Sequence, residues 1–149
     1  MRNHEIISVF YKQQPTYNPQ MTEGHARKRT FRSAKLQTEV YGRMGQDYRY
    51  DSCVRYPRSI QEFSTDTQNS SVHPTQKPVA LLEYLIKTYT NKGDTVLDSC
   101  AGSGSTGVAC VNTDRKSLLI EKDAKYFQVA SSRLLTHRKP QQTSLFICQ

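Results

Sequence analysis

Apolar positions recur along the second half of this chain with clear periodicity. In "VALLEYLIKTYT", Val79, Leu82, Leu85, Ile86 and Tyr89 fall at helical spacing, Pro78 suits the first helical position, and Gly93 lies just beyond the end. The pattern predicts an amphipathic helix. After it, "DTVLDSC" reads as a buried strand, "GSTGVACV" as the start of a short helix and "KSLLIE" as a second strand. Asp123 can cap a third helix in which Phe127, Ala130 and Leu134 line one face. Strand, helix, strand, helix predicts a parallel α/β unit. A last apolar stretch, "TSLFIC" at 143–148, can add an edge strand.

The first half has a different texture. "EIISVFYK" at 5–12 is β-branched and aromatic, and its length and composition favour a strand, closed by the turn-rich "QQPTYNPQ". From Gly24 to Arg58 the chain is rich in Arg, Lys and Tyr and poor in aliphatics, which predicts loop or irregular structure. Residues 59–71 are polar and turn-prone, and no internal repeat is present. Two regions are expected: 1–71, a strand plus a basic segment, and 72–149, the α/β portion.

Composition narrows the partners. A chain of 149 residues is long enough for one domain with a real core. Lys plus Arg total 21 against 13 for Asp plus Glu, a formal net charge of +8, which favours an anionic partner such as nucleic acid. The four cysteines show no C-x-x-C spacing and the four histidines no ligand array, so no metal site is expected. With no signal peptide and no apolar run able to cross a bilayer, the expected setting is a reducing cytoplasm.

Gly102, Gly104 and Gly107 fit G-x-G-x-x-G between a predicted strand and a predicted helix, the context that makes this pattern meaningful. Missing side chains let the backbone turn sharply and approach a ligand, while the next helix offers free N–H groups. Glu121, at the end of the following strand, can accept hydrogen bonds from both hydroxyls of a ribose. The competing reading is a tight β-to-α turn with an incidental surface glutamate; strand, loop, helix and acid in the right order speak against it. A P-loop would need Lys where Val108 stands. Between NAD and S-adenosylmethionine, Asp98 decides: a carboxylate upstream of the loop would repel a pyrophosphate but favour a sulfonium or ammonium group. Taken alone, Asp98 could equally be a capping aspartate. Lys77 in "HPTQKP" stands at a helix N-terminus, where the dipole disfavours a cation, so local structure does not explain it. The loop then reads as one wall of the cofactor pocket.

With "HPTQKP" and "DSCAGSGST" in this order, the chain closely resembles the DNA amino-methyltransferases, which methylate adenine N6 or cytosine N4, in the permuted class where the catalytic motif comes first. The resemblance is strong from about Val72 to Leu135 and weaker in "HEIISVFYKQQPTYNPQM", which looks like the strand and turn after the catalytic half in phage-type members. It implies a partial Rossmann-like S-adenosylmethionine-dependent methyltransferase fold, with a parallel sheet, flanking helices and an irregular N-terminal segment. It also implies that His73, Pro74, Thr75, Lys77 and Pro78, together with Asp98, Ala101, Gly102, Ser103, Gly104, Ser105 and Thr106, form the cofactor site, with Glu121 on the ribose. Cys100 replaces a Phe common in the family, one apolar residue for another.

One departure matters more. The family's catalytic motif, Asp, Asn or Ser followed by Pro-Pro and an aromatic, is absent, and no two prolines are adjacent anywhere in the chain. That motif holds the exocyclic amine of a flipped base. The chain therefore looks like the second half of such an enzyme, inactive alone, with a complementary chain as a possible source of the missing half. Its glycine-loop strand is expected to lack one sheet neighbour, leaving an edge prone to association. Between Gly24 and Ser59 many Arg and Lys residues, among them Arg27, Lys28, Arg29, Arg32 and Lys35, interleave with Phe31, Tyr41, Tyr48, Tyr50 and Tyr56. Cations can neutralise phosphates while aromatics stack on bases, so double-stranded DNA is the expected partner of this segment. A solvated basic loop is the plainer reading of any one of them; the clustering favours DNA. The alternatives are a non-catalytic DNA- or S-adenosylmethionine-binding module and, disfavoured by Asp98, an NAD-dependent oxidoreductase.

Overall fold

The computed structural model describes residues 4–32, 37–38, 42–43, 48–64, 76–137 and 144–148. They fall into two compact units, one made of Met1–Asn18 with Glu62–Gln149, the other of Pro19–Gln61.

The first unit is the α/β portion. Helix α1 (Val79–Tyr89) starts directly after Pro78, whose extended ψ of 131° places it one residue before the position the sequence suggests. Its predicted apolar face holds: Ile86 is buried, and Val79 and Leu82 pack beside it. Asn18 closes the far end. Its backbone N–H donates to Thr88 O at 2.7 Å and its side-chain amide to Thr90 O at 3.0 Å, satisfying carbonyls that a helix C-terminus leaves open.

Strand β5 (Thr95–Asp98), helix α2 (Ser105–Asn112), strand β6 (Lys116–Glu121) and helix α3 (Ala124–His137) follow in the expected order. Strand β7 (Ser144–Cys148) is the predicted edge strand and pairs in parallel with β6, as β5 does on the other side. The fold class is thus α/β, with a small parallel sheet in the order β5-β6-β7. Asp123 caps α3 as expected: its Oδ1 accepts from the N–H groups of Lys125 at 2.8 Å and Tyr126 at 3.2 Å.

Helix α2 is the centre of the core, which explains why its sequence is apolar almost all round. Ala109 and Cys110 face Ile86, Val79, Leu82 and Val96, while Val108 and Val111 face Leu119, Leu134 and Ala101. Gly107 makes the approach possible. A Cβ there would stand 2.7 Å from a Leu119 methyl and 2.8 Å from a Leu134 methyl.

Two expectations fail in this unit. Residues 5–12 form no strand: among the described residues no ladder partner lies beside them, and Ile6 and Phe10 are 86% and 91% exposed. β-propensity measures fit to a half-buried pleated surface, and here no such surface adjoins. Strand β5 is less buried than its apolar sequence suggests, with Leu97 61% exposed; among the described residues it pairs with β6 alone, the missing neighbour being the one expected for the glycine-loop strand.

The second unit corrects the reading of 24–58 as loop. Strands β1 (Lys28–Arg32) and β4 (Tyr48–Ser52) form an antiparallel hairpin with Phe31 opposite Arg49, and β2 (Gln37–Thr38) pairs with β3 (Gly42–Arg43) between them. Charge hid a period-2 pattern. Thr30 and Tyr50 lie half-buried on one face, while Arg29, Phe31, Arg49 and Asp51 are exposed on the other.

Candidate functional site at the glycine loop

The loop from Asp98 to Ser105 leaves β5 and enters α2 across the carboxyl ends of two adjacent parallel strands. Three sets of bonds hold it. Asp98 at the end of β5 accepts from the Cys100 N–H at 3.0 Å through Oδ1 and from the Thr106 hydroxyl at 2.5 Å through Oδ2. From the neighbouring strand, Ile120 O accepts from the Ala101 N–H at 3.0 Å, and Glu121 Oε2 accepts from the Gly102 N–H at 2.6 Å. The other oxygen, Glu121 Oε1, accepts from the Asp123 N–H at 2.9 Å. The third set comes from outside the strands: Ser103 donates its hydroxyl to Gln76 Oε1 at 3.0 Å, and Arg133 Nη1 donates to Ser105 Oγ at 3.0 Å and to Ser103 O at 3.3 Å.

Glycine is required where this path is tightest. Gly102 has φ 53° and Gly104 φ 77°, both in the left-handed region. At Gly104 a Cβ would also lie 2.9 Å from the Cβ of Ala130 and 3.2 Å from its Cα, so the loop rests directly on α3.

Of the residues singled out in the sequence, Asp98, Ala101, Gly102, Ser103, Gly104, Ser105, Thr106 and Glu121 converge here. The geometry adds that Ser103 and Ser105 are almost fully buried, with their hydroxyls engaged by Gln76 and Arg133, so what the loop offers outward is its backbone and the two carboxylates. Among the described residues, each oxygen of Asp98 and Glu121 has one protein donor, against an acceptor capacity of two per oxygen. Lys77 goes elsewhere: its Nζ meets Glu5 Oε2 at 2.7 Å, both groups exposed. His73, Pro74, Thr75 and Lys35 lie outside the described residues.

Gln76 and Arg133 were not predicted. Gln76 stands inside "HPTQKP" but carries no charge to mark it. Arg133 had a readable signal: it lies three residues after Ala130 and beside Leu134, a cation on the apolar face of α3. Cys110, buried in the core beside Ile86 and Ala109, has its thiol pKa pushed up to about 12, mainly by burial.

In the other unit, Arg27 grips Asp51 with two bonds, Nε to Oδ1 at 2.7 Å and Nη2 to Oδ2 at 2.8 Å, and Arg29 Nε stands 3.3 Å from the same carboxylate. The Arg27 guanidinium holds the Asp51 carboxyl below its ordinary range. Lys28 is exposed at the start of β1, where it opposes Ser52, and the Arg32 backbone opposes Tyr48. Among the described residues no cluster of His, Cys, Asp or Glu could hold a metal ion, and no helix is long and apolar enough to cross a membrane.

A family model described as DNA methylase, of the N6/N4 type, matches residues 1–132, which take in the glycine loop, both carboxylates and the hairpin. The chain belongs to this DNA methylase family. This DNA methylase chain is 38% identical over 81 residues to the Type II methyltransferase M.HpaI of Haemophilus parainfluenzae, a match covering 52% of the chain and 26% of that protein. It is 45% identical over 62 residues to the DNA adenine methyltransferase YhdJ of Escherichia coli (strain K12), covering 42% and 21%. Among solved structures it is similar to the crystal structure of an M1.HpyAVI–SAM complex, at 36% identity and TM-score 0.48, over 72% of this chain and 44% of that one. The DNA methylase chain thus spans about a quarter of the length of the curated relatives it matches, 26%, 22% and 23% for three of them.

Proposed function

We propose that this chain is the S-adenosylmethionine-holding and DNA-contacting portion of a DNA amino-methyltransferase that modifies adenine N6 or cytosine N4. One observation carries the reading: a left-handed glycine loop pinned between two carboxylates at the carboxyl ends of adjacent parallel strands, the place where open α/β sheets bind their ligands. The donor set fits the cofactor. Glu121 keeps acceptor capacity for ribose hydroxyls, and Asp98 puts negative charge where the ligand is cationic. When bound, S-adenosylmethionine supplies an electrophilic methyl group. The residues of this chain bind and orient it, and carry no proton in the transfer.

The chain contains no adjacent prolines, so the residues that hold the target amine come from outside these 149 residues, and the chain alone transfers no methyl group. Another chain or segment carrying that motif completes the enzyme. The basic segment supports double-stranded DNA as the partner, and relatives named Type II methyltransferases support a restriction–modification setting in a bacterial or phage-derived cytoplasm.

Isothermal titration of the folded chain with S-adenosylmethionine tests the first part, alongside transfer of a labelled methyl group to duplex DNA. Saturable binding without transfer is expected. A folded chain that binds no S-adenosylmethionine would overturn the reading, and methyl transfer by the chain alone would overturn the claim that the amine-holding residues lie elsewhere.

A further inference from the structure

Helix α3 supports the glycine loop at two places one turn apart. Ala130 backs Gly104, whose added Cβ would lie 2.9 Å from the Ala130 Cβ. Arg133, one turn further along the same helix, holds the loop with a single nitrogen: Nη1 donates to Ser103 O at 3.3 Å, to Ser103 Oγ at 3.3 Å and to Ser105 Oγ at 3.0 Å. These bonds straddle Gly104. It is one of the loop's two left-handed residues, with φ 77°, and glycine has the most backbone freedom to lose, so the tether falls where the loop would otherwise be loosest.

Charge is not what this place asks of Arg133. The dipole of α2 disfavours a cation beside Ser105, the first residue of that helix. Among the described residues no carboxylate pairs with the guanidinium, and the sulfonium and ammonium groups of S-adenosylmethionine would be repelled by it. What Arg133 supplies is N–H donors. They meet two serines that are only 3% and 6% exposed, and buried hydroxyls need partners.

Ser103 passes the constraint on. Its hydroxyl has one hydrogen, which goes to Gln76 Oε1 at 3.0 Å, so Oγ meets the Arg133 N–H as an acceptor. Accepting from a cation makes that hydroxyl a better donor, because the bonds of such a chain polarise one another. The chain runs from α3 through the glycine loop to Gln76, which leads by way of Lys77 to Pro78 at the start of α1. We propose that Arg133 is a positioning residue for the cofactor: through Ser103 it holds Gln76, and so sets how far apart the two walls of the pocket stand, the glycine loop and the segment ahead of α1. The inference rests on the S-adenosylmethionine reading of the loop and adds a residue that acts through Ser103 rather than on the ligand.

The test is a double-mutant cycle on S-adenosylmethionine binding by the full 149-residue chain. Arg133→Met keeps an unbranched stem, removes the donors and should weaken binding on the order of 10-fold. Gln76→Ala should weaken it too, and the double variant should lose little more than the weaker single one, since each change already breaks the same chain. Arg133→Lys should recover most of the affinity, because one ammonium carries three N–H donors for the acceptors that Nη1 serves. A merely structural arginine would show no such coupling to Gln76, to which it makes no direct hydrogen bond among the described residues. Circular dichroism and melting curves report the fold and stability of each variant.

The side-chain amide resonances of Gln76 give a second readout that needs no ligand. They should move alike in Arg133→Met and Ser103→Ala and stay near the parent position in Arg133→Lys. Ser103→Ala cuts the chain in its middle with Arg133 in place, and replaces Arg133→Met in the cycle if the latter does not fold. Losses of affinity that multiply, Arg133→Lys binding no better than Arg133→Met, or Gln76 resonances indifferent to Arg133 overturn the proposal. The two readings fail separately: a parent chain that binds no S-adenosylmethionine overturns the cofactor reading, whereas one that binds it with independent losses overturns the role of Arg133 alone.

Discussion

Replacing Gly104 by Ala tests the packing of the glycine loop at its tightest point. Two costs should combine. At φ 77° an L side chain sits in the left-handed region, which costs roughly 1–2 kcal/mol. The new Cβ would also lie 2.9 Å from the Ala130 Cβ and 3.2 Å from its Cα, and because Ala130 is fully buried helix backbone, a flexible side-chain end cannot simply swing away. Overpacking of this kind costs roughly a further 1–3 kcal/mol. The total, about 2–5 kcal/mol, is a large share of the 5–15 kcal/mol that holds typical domains together. Gly93→Ala is the matched control, since Gly93 has φ 86° but nothing within 4 Å of its would-be Cβ, so it should show the backbone cost alone. Urea unfolding followed by far-UV circular dichroism reads the difference. With a slope of roughly 1–3 kcal/mol per molar urea, the Gly104→Ala midpoint should fall on the order of 1 M below that of Gly93→Ala. A second change, Ala130→Gly, removes the closest atom and should restore part of the loss despite costing about 1 kcal/mol as a helix glycine. Equal midpoints for the two single variants would refute the contact between loop and helix.

Other groups give separable readouts. Glu121→Gln replaces a carboxylate that accepts from two backbone N–H groups by an amide that can accept only through its one oxygen. It should cost about 1.5–3 kcal/mol, seen as a melting temperature roughly 5 °C lower, together with weaker S-adenosylmethionine binding by calorimetry; an unchanged melt would show that the loop does not hang on this residue. Cys53 and Cys100 are exposed, whereas Cys110 is buried with its thiol pushed up to about 12, so at pH 8 an alkylating reagent should modify the first two and reach Cys110 only on unfolding, as mapped by mass spectrometry. Rapid labelling of Cys110 in the folded chain would count against the core as described. In the hairpin, the Arg27 hydrogen bond lowers the Asp51 pKa, so the pair's contribution is present above the unfolded aspartate value and lost as pH falls through the lower folded one. Asp51 resonances followed by NMR should hold steady from pH 8 to 5 and change only in the acid range below about 4; a transition near neutrality would exclude the ion pair.

What could be read from the sequence was local. The apolar face of α1, the Asp123 cap of α3 and the glycines before α2 are signals within a few residues of the structure they determine, and each appears where the spacing puts it. What could not be read depended on distant partners. Phe31 meets Arg49 only because two segments 18 positions apart pair, and the arginines between them look like loop composition until the register shows that they alternate with half-buried Thr30 and Tyr50. Residues 5–12 failed in the opposite sense. Their composition asks for a sheet, but composition cannot supply a neighbour.

The carboxylates of the glycine loop show a further limit. From sequence, Asp98 and Glu121 stand where ligand-binding acids should, and the loop-capping alternative for Asp98 looks like a rival. The geometry makes the two compatible: the groups with acceptor capacity for a cofactor also fix the loop backbone through Cys100, Thr106, Gly102 and Asp123. Loss of activity on replacing either acid therefore cannot by itself separate ligand contact from loop collapse. The separation requires stability and cofactor affinity measured on the same protein. Thr106→Val, itself in the loop, gives the charge-matched comparison, because it removes the 2.5 Å donor to Asp98 while leaving both charges in place. If Asp98→Asn weakens S-adenosylmethionine binding no more than Thr106→Val at equal loss of stability, the charge of Asp98 serves the loop alone. A larger loss of affinity assigns the remainder to the attraction between its carboxylate and a cationic ligand.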